Sequence, residues 1–274
     1  MDLTRVKLIA TDMDGTLLNS QSVVSHRFFT LFEELKKYDI HFAAASGRQY
    51  HSIADKLNAI VNDITIIAEN GAIAKRREQE LLVTPLSRDT AVEIVRHVRP
   101  LDDAYTVICG KEQAYIETDN PRFENMFREY YHAYTRVPDL TALENDEILK
   151  IAIYSFEGSE KNIYPYVTPF EKDLQVKVSG EHWLDISSPD ANKGHALGLL
   201  QKELGISESE TLVFGDYNND LEMMEKAHFS FAMENSHPNV IKAARYTTLS
   251  NDHYGVEHIL EKLIAARQPA AQKG

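Results

Sequence analysis

The chain of 274 residues has a single cysteine, Cys109. One thiol forms no intrachain disulfide and no multi-cysteine metal site, so nothing here calls for an oxidising compartment. Positive charge is also scarce. Lys and Arg number 29 against 42 Asp and Glu, a formal net charge of −13. A general binder of nucleic acid or of an anionic membrane needs a basic face, so neither is expected as a partner. A small phosphorylated ligand stays open, because local groups can override the net field. Long apolar runs are missing too, and none approaches the ~20 residues that span a bilayer. Asp2, Arg5 and Lys7 crowd the short apolar run near the N-terminus. That pattern is unlike a signal peptide, so a cytoplasmic protein is expected. The rest is ordinary for a folded chain, with 43% hydrophobic and 26% charged residues. The length predicts about two domains.

The apolar runs divide the chain into three parts. Val6–Ala10 is short and β-rich and predicts a buried strand. Ser25 is placed as an N-cap, and Phe28, Leu31, Phe32 and Leu35 follow at helical spacing to about Tyr38. Ile40–Ala45 predicts a second strand. A helix through Ile53, Leu57 and Ile60 follows, then a strand at Ile64–Ile67. This alternation implies a parallel sheet with helices on both faces. The middle differs. Thr90–Val98 reads as helix, and Tyr105–Ile108 with Ala114–Ile116 reads as a hairpin around Gly110-Lys111. Phe123–Tyr134 and Glu160–Phe170 are expected to be helical, and Leu149–Phe156, Gln175–Val178 and Trp183–Ile186 to be strands. The last third returns to alternation. Its helices are expected at Lys193–Leu204, Leu221–Lys226, Asn239–Ala244 and Gly255–Ala266, with strands at Thr211–Phe214 and Phe229–Met233. The polar tail from Arg267 is expected to fray. Residues 84–189 therefore read as an α+β domain inserted into an α/β domain made of residues 1–83 and 190–274.

Ligands of open parallel sheets sit beyond the carboxyl ends of the strands. Three polar clusters stand at such ends: Asp12-Met13-Asp14-Gly15-Thr16, Ser46-Gly47-Arg48, and Gly215-Asp216-Tyr217-Asn218-Asn219-Asp220. A fourth, Asn192-Lys193-Gly194, opens a helix. Asp12 can act as a nucleophile and form an acyl phosphate, with Asp14 as general acid and then base. An Asp-Gly turn is an equally weighted reading of that segment alone. Asp216 stands after its strand as Asp12 stands after the first, and two such carboxylates facing one cleft call for a cation between them. Oxygen-only ligands suit Mg²⁺. Helix capping by Asn219 or Asp220 is the plainer alternative. An EF-hand is excluded, because Leu221 and Ala227 occupy the positions of its Gly and Glu. Ser46 can donate its hydroxyl and a nearby backbone N–H to a phosphate oxygen. Lys193 at a helix start is disfavoured by the helix dipole, which an anion nearby would explain.

The ordered set Asp12-Met13-Asp14-Gly15-Thr16, Ser46, Lys193 and Gly215-Asp216 with Asn219-Asp220 resembles the haloacid dehalogenase (HAD) superfamily. Ser46-Gly47-Arg48, Glu69-Asn70-Gly71-Ala72, Lys193-Gly194 and Met223 resemble its Cof-type, type IIB branch. The resemblance implies a HAD-like Rossmannoid parallel-sheet core with an inserted α+β cap of type C2B. It implies a Mg²⁺-dependent phosphatase, a phosphoric monoester hydrolase of small phosphorylated metabolites, often sugar phosphates. By position, Asp12 would be nucleophile and Mg²⁺ ligand. Asp14 would be the acid/base, with its backbone carbonyl on the metal, and Asp216 the third ligand. Asp220 would orient water at the metal or support its ligands. Ser46, Gly47, Lys193, Asn219 and the Met13 backbone would bind the phosphate. A phosphotransferase or phosphomutase on the same scaffold and a non-catalytic phosphosugar sensor are the alternatives, and the intact Asp12/Asp14 pair speaks against the sensor. Asp12→Asn and Asp14→Asn are each expected to abolish turnover. His182 and Trp183 can reach substrate from the cap, though packing is the commoner fate of a Trp. Arg122, Tyr130, Tyr131 and Tyr134 can also line the cap, though an aromatic stripe at helical spacing is more often packing, and Cys109 reads as an apolar filler.

Overall fold

Short apolar runs bounded by polar turns become buried strands throughout the computed structural model, which describes residues 1–268. The first third supplies β1 Leu8–Thr11, α1 His26–Lys36, β2 His41–Ala45, α2 Tyr50–Lys56, β3 Thr65–Ala68, β4 Ile73–Arg76 and β5 Gln79–Val83. The middle supplies α3 Arg88–Val98, β6 Tyr105–Gly110, β7 Ala114–Ile116, α4 Pro121–Phe127, β8 Tyr134–Arg136, β9 Ile148–Tyr154, α5 Ser159–Asn162, α6 Tyr164–Val167, β10 Gln175–Val178 and β11 Trp183–Ser187. The last third supplies α7 Lys193–Leu204, β12 Thr211–Gly215, α8 Leu221–Glu225, β13 Phe229–Ala232, α9 Pro238–Ala243, β14 Tyr246–Thr247 and α10 Gly255–Arg267. Of the tail expected to fray, Arg267 still belongs to α10, and residues 269–274 lie outside the described residues.

The strands form two sheets. One has the order β14-β13-β12-β1-β2-β3-β4-β5, the other β10-β11-β9-β6-β7-β8. From β14 to β3 the first sheet is parallel. Alternate residues of β1 show why it needs helices on both sides. Ile9 packs with Phe28, Phe32 and Leu35 of α1, Ile53 of α2 and Leu260 of α10. Leu8 and Ala10 pack on the other face with Leu197 and Leu200 of α7, Met223 of α8 and Val240 of α9. The second sheet is antiparallel except at β7–β8. One of its faces, with Ile108, Ile151, Ile153 and Ile186, is covered by α3 and by Ile163 and Val167. The other carries Cys109, Ala152 and Tyr154 and is covered by α4 through Phe123 and Phe127.

Two expectations need correction, and one hairpin comes in addition. The helix expected over Phe123–Tyr134 starts at Pro121, capped by Asn120, and stops at Phe127. Tyr134 instead enters β8, where it pairs with Ala114 of β7. The helix expected over Glu160–Phe170 is broken into α5, α6 and a 3₁₀ turn at Thr168–Lys172. Pro165 and Pro169 lack the N–H donors that a continuous helix would use. The hairpin β4–β5 was not anticipated. Its turn and flanking residues, Lys75 to Glu80, are almost wholly charged, which suits the exposed edge of a sheet and hides the strand pattern.

Candidate active site

Because β2, β1 and β12 are parallel neighbours, their carboxyl ends lie side by side. Asp12 follows β1 directly, and its N–H donates to the Phe214 carbonyl at 3.0 Å. Ser46 follows β2, and Asp216 follows β12. Lys193 is the first residue of α7, which Asn192 caps by accepting the His195 N–H at 2.7 Å. The Lys193 ammonium is fully buried. It donates to Asp12 Oδ1 at 2.5 Å and to Asp220 Oδ1 at 2.7 Å. These carboxylates are the anions that sequence reasoning sought beside a lysine at a helix start. The other oxygen of Asp220 accepts the N–H groups of Asp216 at 2.9 Å and Tyr217 at 3.1 Å, which fixes the turn after β12. Thr16 donates its hydroxyl to Asp216 Oδ1 at 2.8 Å. Gly15 has φ +73°, and a Cβ there would collide with the Asp216 carboxylate, so glycine lets the two loops meet. One carboxylate oxygen from each of Asp12, Asp216 and Asp220 lies within 4.8 Å of the others.

Three carboxylates around one ammonium leave excess negative charge in a dry place. Burial pushes the Asp12 carboxyl well above its usual range; Lys193 opposes the shift, and Asp220, Asp216 and Asp14 add to it. Burial, then the charge of Asp220, raises Asp216 to about 7. Burial pulls Lys193 down, but Asp12 and Asp220 overcome it and hold the ammonium above its ordinary range. A buried set of oxygen donors with net negative charge fits a small hard cation such as Mg²⁺.

The raised Asp216 has a testable consequence in protein stripped of divalent cations. Its folded value of about 7 lies above the unfolded value. The folded state therefore binds the extra proton between the two. The stabilisation is full below about pH 4 and is lost as pH rises through about 7. The urea midpoint of stripped protein is expected to fall across that window, and Asp216→Asn to flatten the slope. Parallel pH profiles in the two proteins would refute the assignment.

The other expected residues gather around one cavity of about 260 Å³, lined by Asp12, Asp14, Ser46, Gly47, Arg48 and Asn219 among others. Met13 is buried beside it, and its carbonyl accepts the Thr16 and Leu18 N–H groups. Asn219 donates to Asn70 Oδ1 at 3.0 Å. The Ser46 N–H is spent on the Ile67 carbonyl at 2.9 Å, and the Arg48 N–H on Ser46 Oγ at 3.1 Å. The Ser46 hydroxyl proton and the Gly47 N–H are left for a ligand. Asp14 stands apart from the buried carboxylates. Its side chain is 44% exposed and accepts from Nε and Nη2 of Arg48, each at 2.6 Å. Arg48 also donates to the Glu129 carbonyl at 2.6 Å and lies 4.6 Å from the centre of the Tyr130 ring. It thus joins the core to the stretch between α4 and β8 of the inserted part.

Sequence reasoning left several cavity residues between packing and substrate contact. Trp183 packs edge-on against Tyr154 and Tyr130, as a core Trp does, yet it also lines the cavity, as do Tyr131 and His182. Arg122 covers the ring of Phe156, and Tyr134 donates to Glu124, so both are packing residues. Cys109 is buried, 3.2 Å from the Tyr131 hydroxyl. Lys150 and Asp185 were unnoticed. The one signal for each was a charge inside an apolar strand: Leu149-Lys150-Ile151 and Leu184-Asp185-Ile186.

Residues 9–260 match the family model of haloacid dehalogenase-like hydrolases. The chain belongs to this family. As a HAD-family hydrolase it is an enzyme of the phosphatase type, with a parallel-sheet core and the cap sheet of subclass IIB structures. It is 33% identical over 270 residues to the 5-amino-6-(5-phospho-D-ribitylamino)uracil phosphatase YbjI of Escherichia coli, covering 97% of this chain and 99% of that one. The crystal structure of SMU.1108c from Streptococcus mutans superposes with a TM-score of 0.88 at 28% identity, over 95% of this chain and 99% of that one. The HAD subclass IIB sugar phosphatase BT4131 shares the fold, with a TM-score of 0.82 at 19% identity over 94% and 98%. Among the described residues, no helix is long and apolar enough to cross a membrane.

Proposed function

We propose that this HAD-family hydrolase is a Mg²⁺-dependent phosphatase of small phosphate monoesters, sugar phosphates foremost, acting through an aspartyl phosphate on Asp12. The observation that carries the reading is the pairing of two unlike carboxylates at one cavity. Asp12 is buried against Lys193, while Asp14 is half-exposed on Arg48. Buried Asp12 is the nucleophile. Its carboxylate oxygen bonds to phosphorus as the ester P–O bond breaks. Asp14 gives its proton to the departing alkoxide. Being open to solvent, it then takes a proton from a water, whose oxygen attacks phosphorus, releases inorganic phosphate and restores Asp12. The Ser46 hydroxyl, the Lys193 ammonium, the Met13 backbone, Gly47 and Asn219 bind the phosphoryl group. Asp12, the Asp14 carbonyl and Asp216 would hold Mg²⁺, with Asp220 fixing the Asp216 turn behind them. When bound, the ion offsets the negative charge of the phosphoryl group. Positioning and charge neutralisation are most of what phosphoryl transfer requires.

The substrate's carbon skeleton faces the cap. The cap side of the cavity is mixed, with Met126, Tyr130, Tyr154 and Trp183 beside Ser179, Glu181 and His182. That mixture suits a phosphate on a polyol chain, whose hydroxyls meet polar groups and whose carbons rest on apolar side chains. Release of inorganic phosphate is the test, across hexose and pentose phosphates, a ribityl phosphate and pyridoxal phosphate, with Mg²⁺ and with EDTA. Release that needs Mg²⁺ and uses water as sole acceptor is expected. Turnover only after adding a second sugar would make the protein a phosphotransferase, and turnover unaffected by EDTA would remove the metal from the reading.

A further inference from the structure

One buried charge has no part in the chemistry above. Lys150 lies in β9, in the inserted sheet, and its side chain is 2% exposed. Its Nζ stands 2.7 Å from the Gly47 carbonyl, 3.0 Å from Glu69 Oε2 and 3.2 Å from Asp185 Oδ2. The ammonium donates to Gly47 and Asp185, and Glu69 stands beside it at ion-pair distance. Lys150 also lines the cavity. Burial pulls its ammonium down, but Asp185 and Glu69 more than compensate and keep it protonated.

The partners lie on both sides of the cavity. Asp185 is in the inserted sheet, while Gly47 and Glu69 are in loops of the first sheet. Asn70 donates to Asp185 and accepts from Asn219, so the same network reaches the turn after β12. Glu69 and Asn70 both have left-handed backbones, with φ 51° and 56°, which residues with side chains seldom adopt. Gly47 packs so tightly on Asn70 that a Cβ would lie 2.9 Å from its Oδ1. Stability alone does not call for such a cluster, since buried ion pairs are often replaceable by apolar side chains without loss. The contact that apolar side chains could not reproduce is the grip on the Gly47 carbonyl.

We propose that Lys150 is a positioning residue: from the inserted sheet it grips the Gly47 carbonyl and so fixes the Ser46-Gly47-Arg48 turn against the phosphate. This rests on the phosphate-binding role proposed above for that turn. Neutralising the carboxylates alone, in Glu69→Gln/Asp185→Asn, keeps the lysine on Gly47 and is expected to leave kcat/KM within about threefold of wild type. Adding Lys150→Met removes the grip without stranding a charge. The triple variant is expected to melt no lower than the double variant, whose buried ammonium has lost both counter-charges, but to lose about 30-fold in kcat/KM. Its inhibition constant for inorganic phosphate should rise about tenfold in parallel. A triple variant as active as the double overturns the proposal. Should the triple variant not fold, Lys150→Arg decides: it keeps the charge but overreaches Gly47, so the phosphate constant should rise, and an unchanged constant overturns the proposal. Wild-type protein that releases no phosphate and binds none would instead sink the phosphatase reading, which separates the two failures.

Discussion

Asp12→Asn is expected to lower turnover by at least about 10⁴-fold, because an amide cannot form the acyl phosphate and nucleophile removal costs on that scale. The protein should nonetheless stay folded. Asp12 lies in a cluster that holds more negative than positive charge, and its own carboxyl is forced well above its usual range. Removing that charge relieves repulsion with Asp216 and Asp220. Lys193 keeps Asp220 at 2.7 Å as a partner. The expected pattern is therefore a dead enzyme whose metal-free melting temperature equals or exceeds that of wild type. Labelled substrate should leave no acid-stable phosphate on the variant. Normal turnover in Asp12→Asn would end the aspartyl-phosphate mechanism, whatever happened to stability.

Lys193→Met should do the reverse to stability. Lys193 is the sole cation touching both Asp12 and Asp220 among the described residues, and the side chains of the lysine and Asp220 are fully buried. Removing one member of a buried charge cluster strands the others, at a cost of about 3–5 kcal/mol. Turnover should fall with it, since the same ammonium is the proposed phosphate ligand. Denaturant titration measures the first effect and phosphate release the second. Adding Asp220→Asn should return part of the stability and none of the turnover, because one stranded carboxylate is gone and the phosphate still lacks its lysine. A single variant as stable as wild type would mean that the carboxylates find another cation or a proton at little cost.

Much of the site was legible because parallel strands advertise their ends. Val6–Ala10, Ile40–Ala45 and Thr211–Phe214 are apolar runs that stop at polar turns, and those turns carry Asp12, Ser46 and Asp216. Adjacency of β2, β1 and β12 then brings them together. The helix start at Lys193 was legible from the Asn192-Lys193-Gly194 cluster that opens it. Contacts between side chains distant in sequence were not. Arg48 meets the Glu129 carbonyl 81 residues away, and Lys150 meets Gly47 across 103. Neither pairing leaves a periodic trace. The bidentate pairing of Arg48 with Asp14 was equally invisible. Trp183 escaped a firm reading for another reason: one ring both packs against Tyr154 and lines the cavity, so either choice alone was half the answer.

The central pairing of the first sheet joins residues about two hundred positions apart, Leu8 of β1 with Thr211 of β12. The second sheet draws only on strands between Tyr105 and Ser187. A chain emerging from the ribosome therefore completes the inserted sheet while β1 still lacks its neighbour on one side. During that interval Leu8 and Ala10 wait for α7, α8 and α9 to cover them, and Asp12 waits for Lys193. Domains tend to fold as units during synthesis, earlier segments first. Here the segment in the middle is the one able to finish early, and the ends close around it last. Chaperone demand should accordingly peak after the inserted sheet is translated and fall only once β12 is released.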